Sequence, residues 1–319
     1  MTWTSAATCS RSSTESAPYP PGPARARAPG RPPPEPTGGK SGMRICGLGD
    51  NVVDRYPRRG LMYPGGNALN VAVHAARCGA EAAYLGVTGS DAAGRHVRAA
   101  LAAEGVSTER ARIAAGPNAY ATVHLDDDGN RTFGDCDETI SLFTPDDADL
   151  RWLRGFDLVH TGDCSGMEEQ LPRLAAACPV SFDFSDRPWS YAEPLLPYVR
   201  SAVLSRPDAD EDEAAGLLAR AHRLGAKLAV VTRGARGALL SYEGTTHHQP
   251  VVPVRATDTL GAGDSFIAAL HLALHRGRPL ADAAGYAATY AAAVCTLPGA
   301  FGHPLALDGA HPRDPSRCP

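Results

Sequence analysis

The sequence predicts a doubly wound α/β domain with a mostly parallel sheet, and three observations carry that prediction. From residue 44 onward, short apolar runs alternate with longer segments of helical composition. Residues 120–133 break the alternation with a hairpin pattern. Further on, Asp258-Thr259-Leu260-Gly261-Ala262-Gly263-Asp264-Ser265-Phe266 reads as a glycine turn opening a helix. Alternating strand and helix in a chain of 319 residues implies one large layered domain, with helices on both faces of the sheet.

Taken in order, residues 1–42 stand apart. They hold nine of the 27 prolines, many Ser, Ala and Arg, and no periodic apolar pattern. Such a segment buries too little surface to offset its ordering entropy, so a disordered extension is expected. It has neither the apolar core of a secretory signal nor a clear amphipathic helix. Met43 enters the first strand directly and looks like a natural start, which makes the upstream residues a mis-assigned extension or a tail. Strand 44–48 leads into a polar loop at Asp50 and Asn51, and helix 68–78 is stopped by Gly79. Strand 82–87 follows, then helix 91–104 between an Asp cap and Gly105. Strand 158–160, helix 168–177, strands 180–184 and 202–205, helix 211–224 and strand 228–232 continue the alternation. Residues 305–319 read as a loose tail. Ligands on such a sheet bind beyond the carboxyl ends of its strands, which gathers Asp50, Asp183, Ser205 and Thr232 around one crevice. The hairpin pairs 120–125 with 131–133 through a turn at 126–130. Two strands alone are marginally stable, so they need further partners or the edge of the main sheet.

Composition narrows the function. A net charge of −4 without a basic stripe disfavours nucleic acid as a partner. No apolar run approaches the ~20 residues a membrane span needs, so a cytoplasmic protein with no membrane partner is expected. The eight cysteines show no CxxC pair and no metal-ligand spacing, which points to reduced thiols.

The glycine turn carries the chemistry. Small residues let a ligand approach the backbone, and a helix start offers unpaired N–H groups and partial positive charge, so an anion is expected there. Asp264 beside an anion site suits proton acceptance from a hydroxyl attacking phosphorus; the alternative is a capping Asp after a turn. Asp50 is placed to accept hydrogen bonds from sugar hydroxyls or to form a turn before Asn51.

The segment 258–264 resembles the D-T-x-G-A-G-D signature of the ribokinase-like (PfkB) family of carbohydrate kinases, with every specified position present. Gly65-Gly66-Asn67-Ala68-Leu69-Asn70-Val71-Ala72 resembles a second signature of that family, in the right order. The resemblance covers residues 43–304. It implies a ribokinase-like doubly wound fold with a small β lid over the sugar site, built from strands near 55–63 and 120–134. It implies Asp264 as the catalytic base, with Gly261, Ala262 and Gly263 as the anion hole. Asp50, Gly65, Gly66 and Asn67 are implied to grip the sugar, the two glycines by allowing close approach of a polyol. Val230-Val231-Thr232-Arg233-Gly234-Ala235-Arg236-Gly237 resembles the family's ATP-holding loop, which assigns Thr232, Gly234 and Gly237 to ATP. The resemblance further implies ATP and Mg²⁺, a monovalent cation such as K⁺ at Asp258, and a homodimer through the lid. Two departures stand out. Where the family has Asn-x-x-Glu near water and magnesium, this chain has Ser205-Arg206-Pro207-Asp208, leaving Ser205 on the ATP side and Asp208 as an indirect Mg²⁺ partner. The late helix has Thr289 where an Asn often flanks adenine.

Three stretches resemble the fructoselysine 6-kinase branch of the family: residues 49–57, 131–135 and 182–186. That implies ATP-dependent phosphorylation of the 6-hydroxyl of a fructosamine. Asp135, Asp137 and Glu138, directly after the lid strand, either face its secondary ammonium or form a solvated acidic loop. The rivals are a kinase for fructose, ribose or a nucleoside, and a non-catalytic sugar- or nucleotide-binding protein. A dinucleotide-dependent oxidoreductase is disfavoured, because Gly47-Leu48-Gly49 lacks the third glycine of that fingerprint.

Overall fold

The computed structural model describes residues 42–125, 131–137 and 139–307. In chain order its elements are β1 (Arg44–Gly49), β2 (Val52–Tyr56), β3 (Leu61–Gly65), α1 (Asn67–Arg77), β4 (Glu81–Gly89), α2 (Ala92–Ala103), β5 (Arg112–Ala114), β6 (Tyr120–Leu125) and β7 (Arg131–Asp137). Next come α3 (Asp147–Leu153), β8 (Leu158–Gly162), α4 (Leu171–Ala177), β9 (Val180–Asp183), α5 (Trp189–Ala192), β10 (Ser201–Ser205), α6 (Glu211–Arg223) and β11 (Leu228–Thr232). β12 (Ala238–Tyr242), β13 (Thr245–Gln249), α7 (Ala262–His275), α8 (Leu280–Val294) and β14 (Leu305–Ala306) complete it.

The main sheet runs β13-β12-β11-β10-β9-β8-β1-β4-β5. It is parallel from β11 to β5, and β12 and β13 add an antiparallel edge. Its strands are apolar on both faces, and alternate residues serve different cores. Ile45, Tyr84, Leu158 and Val230 pack beneath α1, α2, α7 and α8. Their neighbours Cys46, Leu85, Val159 and Val231 pack beneath α3, α4 and α6. Two covered faces are what a parallel sheet requires.

The hairpin belongs to a second sheet, ordered β14-β3-β2-β6-β7, so the edge-of-main-sheet alternative is excluded. β2 pairs with β3 antiparallel and with β6 in parallel, which supplies the missing partners. The turn at 126–130 lies outside the described residues. The expected loose tail needs one correction: Leu305 and Ala306 pair antiparallel with Met62 and Leu61, because β3 otherwise leaves an open edge. Of residues 1–42 only Gly42 is described. No disulfide joins the six described cysteines, and no described helix is long and apolar enough to cross a membrane.

Candidate active site

Two glycines bring the α1 start onto the strands. At Gly47 a Cβ would lie 2.0 Å from the Ala68 carbonyl oxygen, and at Gly162 it would lie 2.6 Å from Asn67 Oδ1. Gly66, at φ 111, turns the chain into α1 in a conformation few other residues adopt. Asn67 and Asn70, three apart on α1, share one helix face. Both reach Asp264 in the first turn of α7. Asn67 Nδ2 donates to Asp264 Oδ1 at 2.8 Å, and Asn70 Nδ2 donates to Oδ2 at 2.7 Å. Asn67 also donates to Asp183 Oδ2 at 3.1 Å. The base candidate is thus held by amides at the positive end of a helix, where a carboxylate is stabilised.

More carboxylates crowd this floor. Asp50 is buried after β1, and its Oδ1 accepts from the Ala68 N–H at 3.1 Å and the Ser165 hydroxyl at 2.7 Å. Burial pushes the Asp183 carboxyl up to about 7; the negative charges of Asp264 and Asp163 add to that, while the Ser185 N–H opposes it. Burial also raises Asp163, with Asp50 and Asp186 adding and Arg187 opposing. The two glycines also have a packing reason. A Cβ at Gly65 would meet Asp54 Oδ2, and one at Gly66 would lie 2.7 Å from the Asn51 Cα and 2.9 Å from Asp50 Oδ2.

On the opposite side of the α7 start, a cleft of 640 Å³ is lined by Ser205, Thr232, Gly234, Gly237, Ala262 and Gly263, which joins the expected ATP loop to the anion turn. Val251, Val254, Ala288, Ala291 and Cys295 give it an apolar wall. These residues fit a nucleotide: small side chains for a flat base, and helix-start N–H groups for phosphates. The anion-hole glycines divide the work. Gly261 caps α7 at φ 76, and a Cβ there would lie 2.7 Å from Ala300 Cβ. Gly263 is helical and faces open space. Thr289, expected near adenine, bonds back to the Gly285 carbonyl of its own helix at 2.9 Å.

Asp258 is fully buried. Its Oδ1 accepts from Leu260 N–H at 3.0 Å, and Oδ2 accepts from Gly299 N–H at 2.9 Å and the Tyr56 hydroxyl at 2.7 Å. Arg59 supplies positive charge 4.0 Å from Oδ2. Oδ1, with one donor, keeps a further acceptor position, so the expected cation role is a proposal, which the Arg59 charge opposes. Asp208 is exposed after β10, and no described cluster of His, Cys, Asp or Glu is built to hold a metal. That fits Mg²⁺ carried mainly by phosphates and water, with Asp208 at a remove.

Residues 47–304 match the profile of the pfkB family carbohydrate kinases. The chain belongs to this family. It is 42% identical over 267 residues to the fructosamine kinase FrlD of Bacillus subtilis, covering 82% of this chain and 94% of that one. It is 34% identical over 261 residues to the fructoselysine 6-kinase of Escherichia coli, covering 81% and 99%. Among solved structures, the ribokinase of Arabidopsis thaliana complexed with ribose and ATP superposes with a TM-score of 0.70 at 21% identity, over 83% of this chain and 96% of that one. The fold is ribokinase-like, and the activity class is phosphoryl transfer to an alcohol.

For this kinase, sequence reasoning passed over three side chains, Asn70 and Asp183 around the base and Ser165 on Asp50. Asn70 was visible within the second signature, three residues after Asn67. Asp183 was placed at a strand end but not joined to Asn67, 116 residues away. Ser165 carried no signal. Asp135 is exposed, and its carboxyl is held below the usual range first by the Thr122 hydroxyl and then by Tyr120. The Tyr120 ring in turn carries the Arg55 guanidinium at 3.6 Å. Glu138 lies outside the described residues.

Proposed function

We propose that this kinase transfers the γ-phosphoryl group of ATP to the 6-hydroxyl of a fructosamine such as fructoselysine. The observation that carries the substrate is the acidic floor formed by Asp50, Asp163, Asp183 and Asp264, with Asp183 raised to about 7. A neutral hexose gives such a floor no counter-charge, whereas the secondary ammonium of a fructosamine does. The likeness to a fructosamine kinase and a fructoselysine 6-kinase supports the same substrate class.

In this reading Asp264 accepts the proton of the attacking hydroxyl, held in line by Asn67 and Asn70. The N–H groups at 261–264 face the charge that develops on the transferring phosphoryl group. Asp50, Asn67 and the backbone at Gly65 and Gly66 hold the sugar. Ser205, Thr232, Gly234 and Gly237 hold ATP. Mg²⁺ bound with ATP supplies neutralisation of phosphate charge, with Asp208 acting through water. The lid sheet closes over the sugar and excludes competing water. Lid faces of two copies meet in a homodimer, which light scattering at graded concentrations tests.

Initial rates with fructoselysine, fructose and ribose between about pH 6 and 8 test the substrate. Asp183 is protonated below about 7 and charged above it. Fructoselysine affinity therefore rises with pH through that value, while fructose affinity stays flat. Equal efficiency on fructose or ribose rejects the fructosamine reading and leaves the kinase class standing.

A further inference from the structure

A run of buried polar groups leads away from Asp264 into the main sheet. Asn67 Nδ2 has two N–H bonds, and both are used: one on Asp264 Oδ1 at 2.8 Å, one on Asp183 Oδ2 at 3.1 Å. That fixes which end of the amide faces the carboxylates. Oδ1 therefore points the other way, to His160 Nε2 at 3.0 Å. An amide oxygen only accepts, so Nε2 carries the ring proton. Nδ1 is left as an acceptor and takes the Ser181 hydroxyl proton at 3.0 Å. Ser181 Oγ lies 3.1 Å from His271 Nε2, which is also 3.2 Å from Ser201 Oγ. Donation thus runs in one direction, from His271 through Ser181, His160 and Asn67 to Asp264. His160 and Ser181 are wholly buried. Burial lowers the pKa of His160 to about 3 and of His271 to about 4, which keeps both rings neutral as the run requires.

We propose that His160, as its Nε2–H tautomer, is a positioning residue that sets the Asn67 amide and, through it, the aim of Asp264. The proposal rests on Asp264 acting as the base. Without the Nε2–H donor, Asn67 Oδ1 is left without a partner and the amide is held only at its nitrogen end. The amide can then swing about its Nδ2 bonds, and the donor that aims Asp264 shifts with it. A displacement of that kind at a reacting group is costly in turnover.

Two measurements on the full chain decide it. In ¹⁵N-histidine NMR of the wild type, His160 shows the Nε2–H pattern and does not titrate between about pH 5.5 and 8. A Nδ1–H pattern, or titration in that range, overturns the proposal. His160→Leu removes the donor, whereas His160→Gln keeps an N–H near the place of Nε2. The Leu variant lowers kcat by about 10–100-fold with an unchanged KM for ATP, and the Gln variant recovers most of the loss. Equal losses in both, or none in either, overturn it. If the Leu variant does not fold, the spectrum and the Gln variant decide. A wild type with no turnover on any sugar counts against the base reading of Asp264 instead, and the spectrum still reports the tautomer.

Discussion

On the sugar side of the α7 start, Asp264, Asn67, Asn70 and Asp183 are joined by side-chain hydrogen bonds of 2.7–3.1 Å. Asp50 is tied in the same way to Ser165 and the α1 backbone. On the nucleotide side, glycines and small apolar residues carve the cleft, and the Thr232 hydroxyl bonds back to the Leu204 carbonyl at 3.4 Å. The base is fixed by protein side chains, whereas the cleft offers shape and backbone groups. Substitutions on the first side should therefore fall on turnover and sugar affinity. Those on the second should fall on nucleotide affinity, or on nothing.

The strongest way to break that contrast is Asp264→Asn. It should lower turnover by about 10²-fold or more while ATP binding, measured by calorimetry, is retained. Near-native turnover removes Asp264 from the mechanism. Next, Gly261→Val should destabilise the fold by about 1–3 kcal/mol and lose turnover, because a β-branched residue at φ 76 also meets Ala300. Gly263→Ala, in open space, should leave the melting temperature unchanged. Similar losses for the two mean that the turn acts as one crowded unit. Asp50→Ala should weaken sugar binding by roughly 1.5–3 kcal/mol, and chemical denaturation should show a stability loss as well, since Ala68 and Ser165 lose an acceptor.

Acid sharpens the comparison, because two of the fold's buried histidines lie beneath the sugar side. Burial lowers His74 and His160 to about 3 and His271 to about 4, each below the ordinary 6.5. The unfolded chain therefore takes up protons first as pH falls. Stability contributed by these rings is present above about 6.5 and lost progressively toward 4. Denaturation midpoints across that range should fall, and less steeply for His160→Gln. The smallest effects belong to the periphery. Replacing K⁺ with choline should change turnover little, since Arg59 already supplies positive charge beside Asp258. Asp135→Asn should barely alter the preference for fructoselysine over fructose, measured as a ratio of kcat/KM. A large change there returns the lid acids to the substrate site.

Much of this was legible from the sequence. Strand β1, helix α2 between Asp91 and Gly105, and the unpaired hairpin could be read from period and punctuation, which are local properties. Asp264 was legible because its neighbours in the chain are also its neighbours in space. Distance along the chain hid the rest. That Gly65 makes room for Asp54, that Asp258 meets Tyr56 and Gly299, and that β14 closes an edge of the lid are facts about side chains or strands meeting from remote segments. No local pattern carries them. The two glycines of the anion turn look equivalent in the sequence, and the left-handed backbone of Gly261 and its contact with Ala300 separate them.

The Asp258 clamp bears on synthesis of the chain. Its carboxylate joins Tyr56 to a turn 202 residues later, and it needs Gly299 as well. A ribosome delivers those groups in order, so a nascent chain that has emerged only as far as α8 has one partner of the clamp outstanding. It also lacks Ala300, the residue on which Gly261 rests. Products terminated before residue 299 should therefore be inert fragments, unable to spill ATP hydrolysis, and a chain translated past Ala300 is the first species with every partner of this turn.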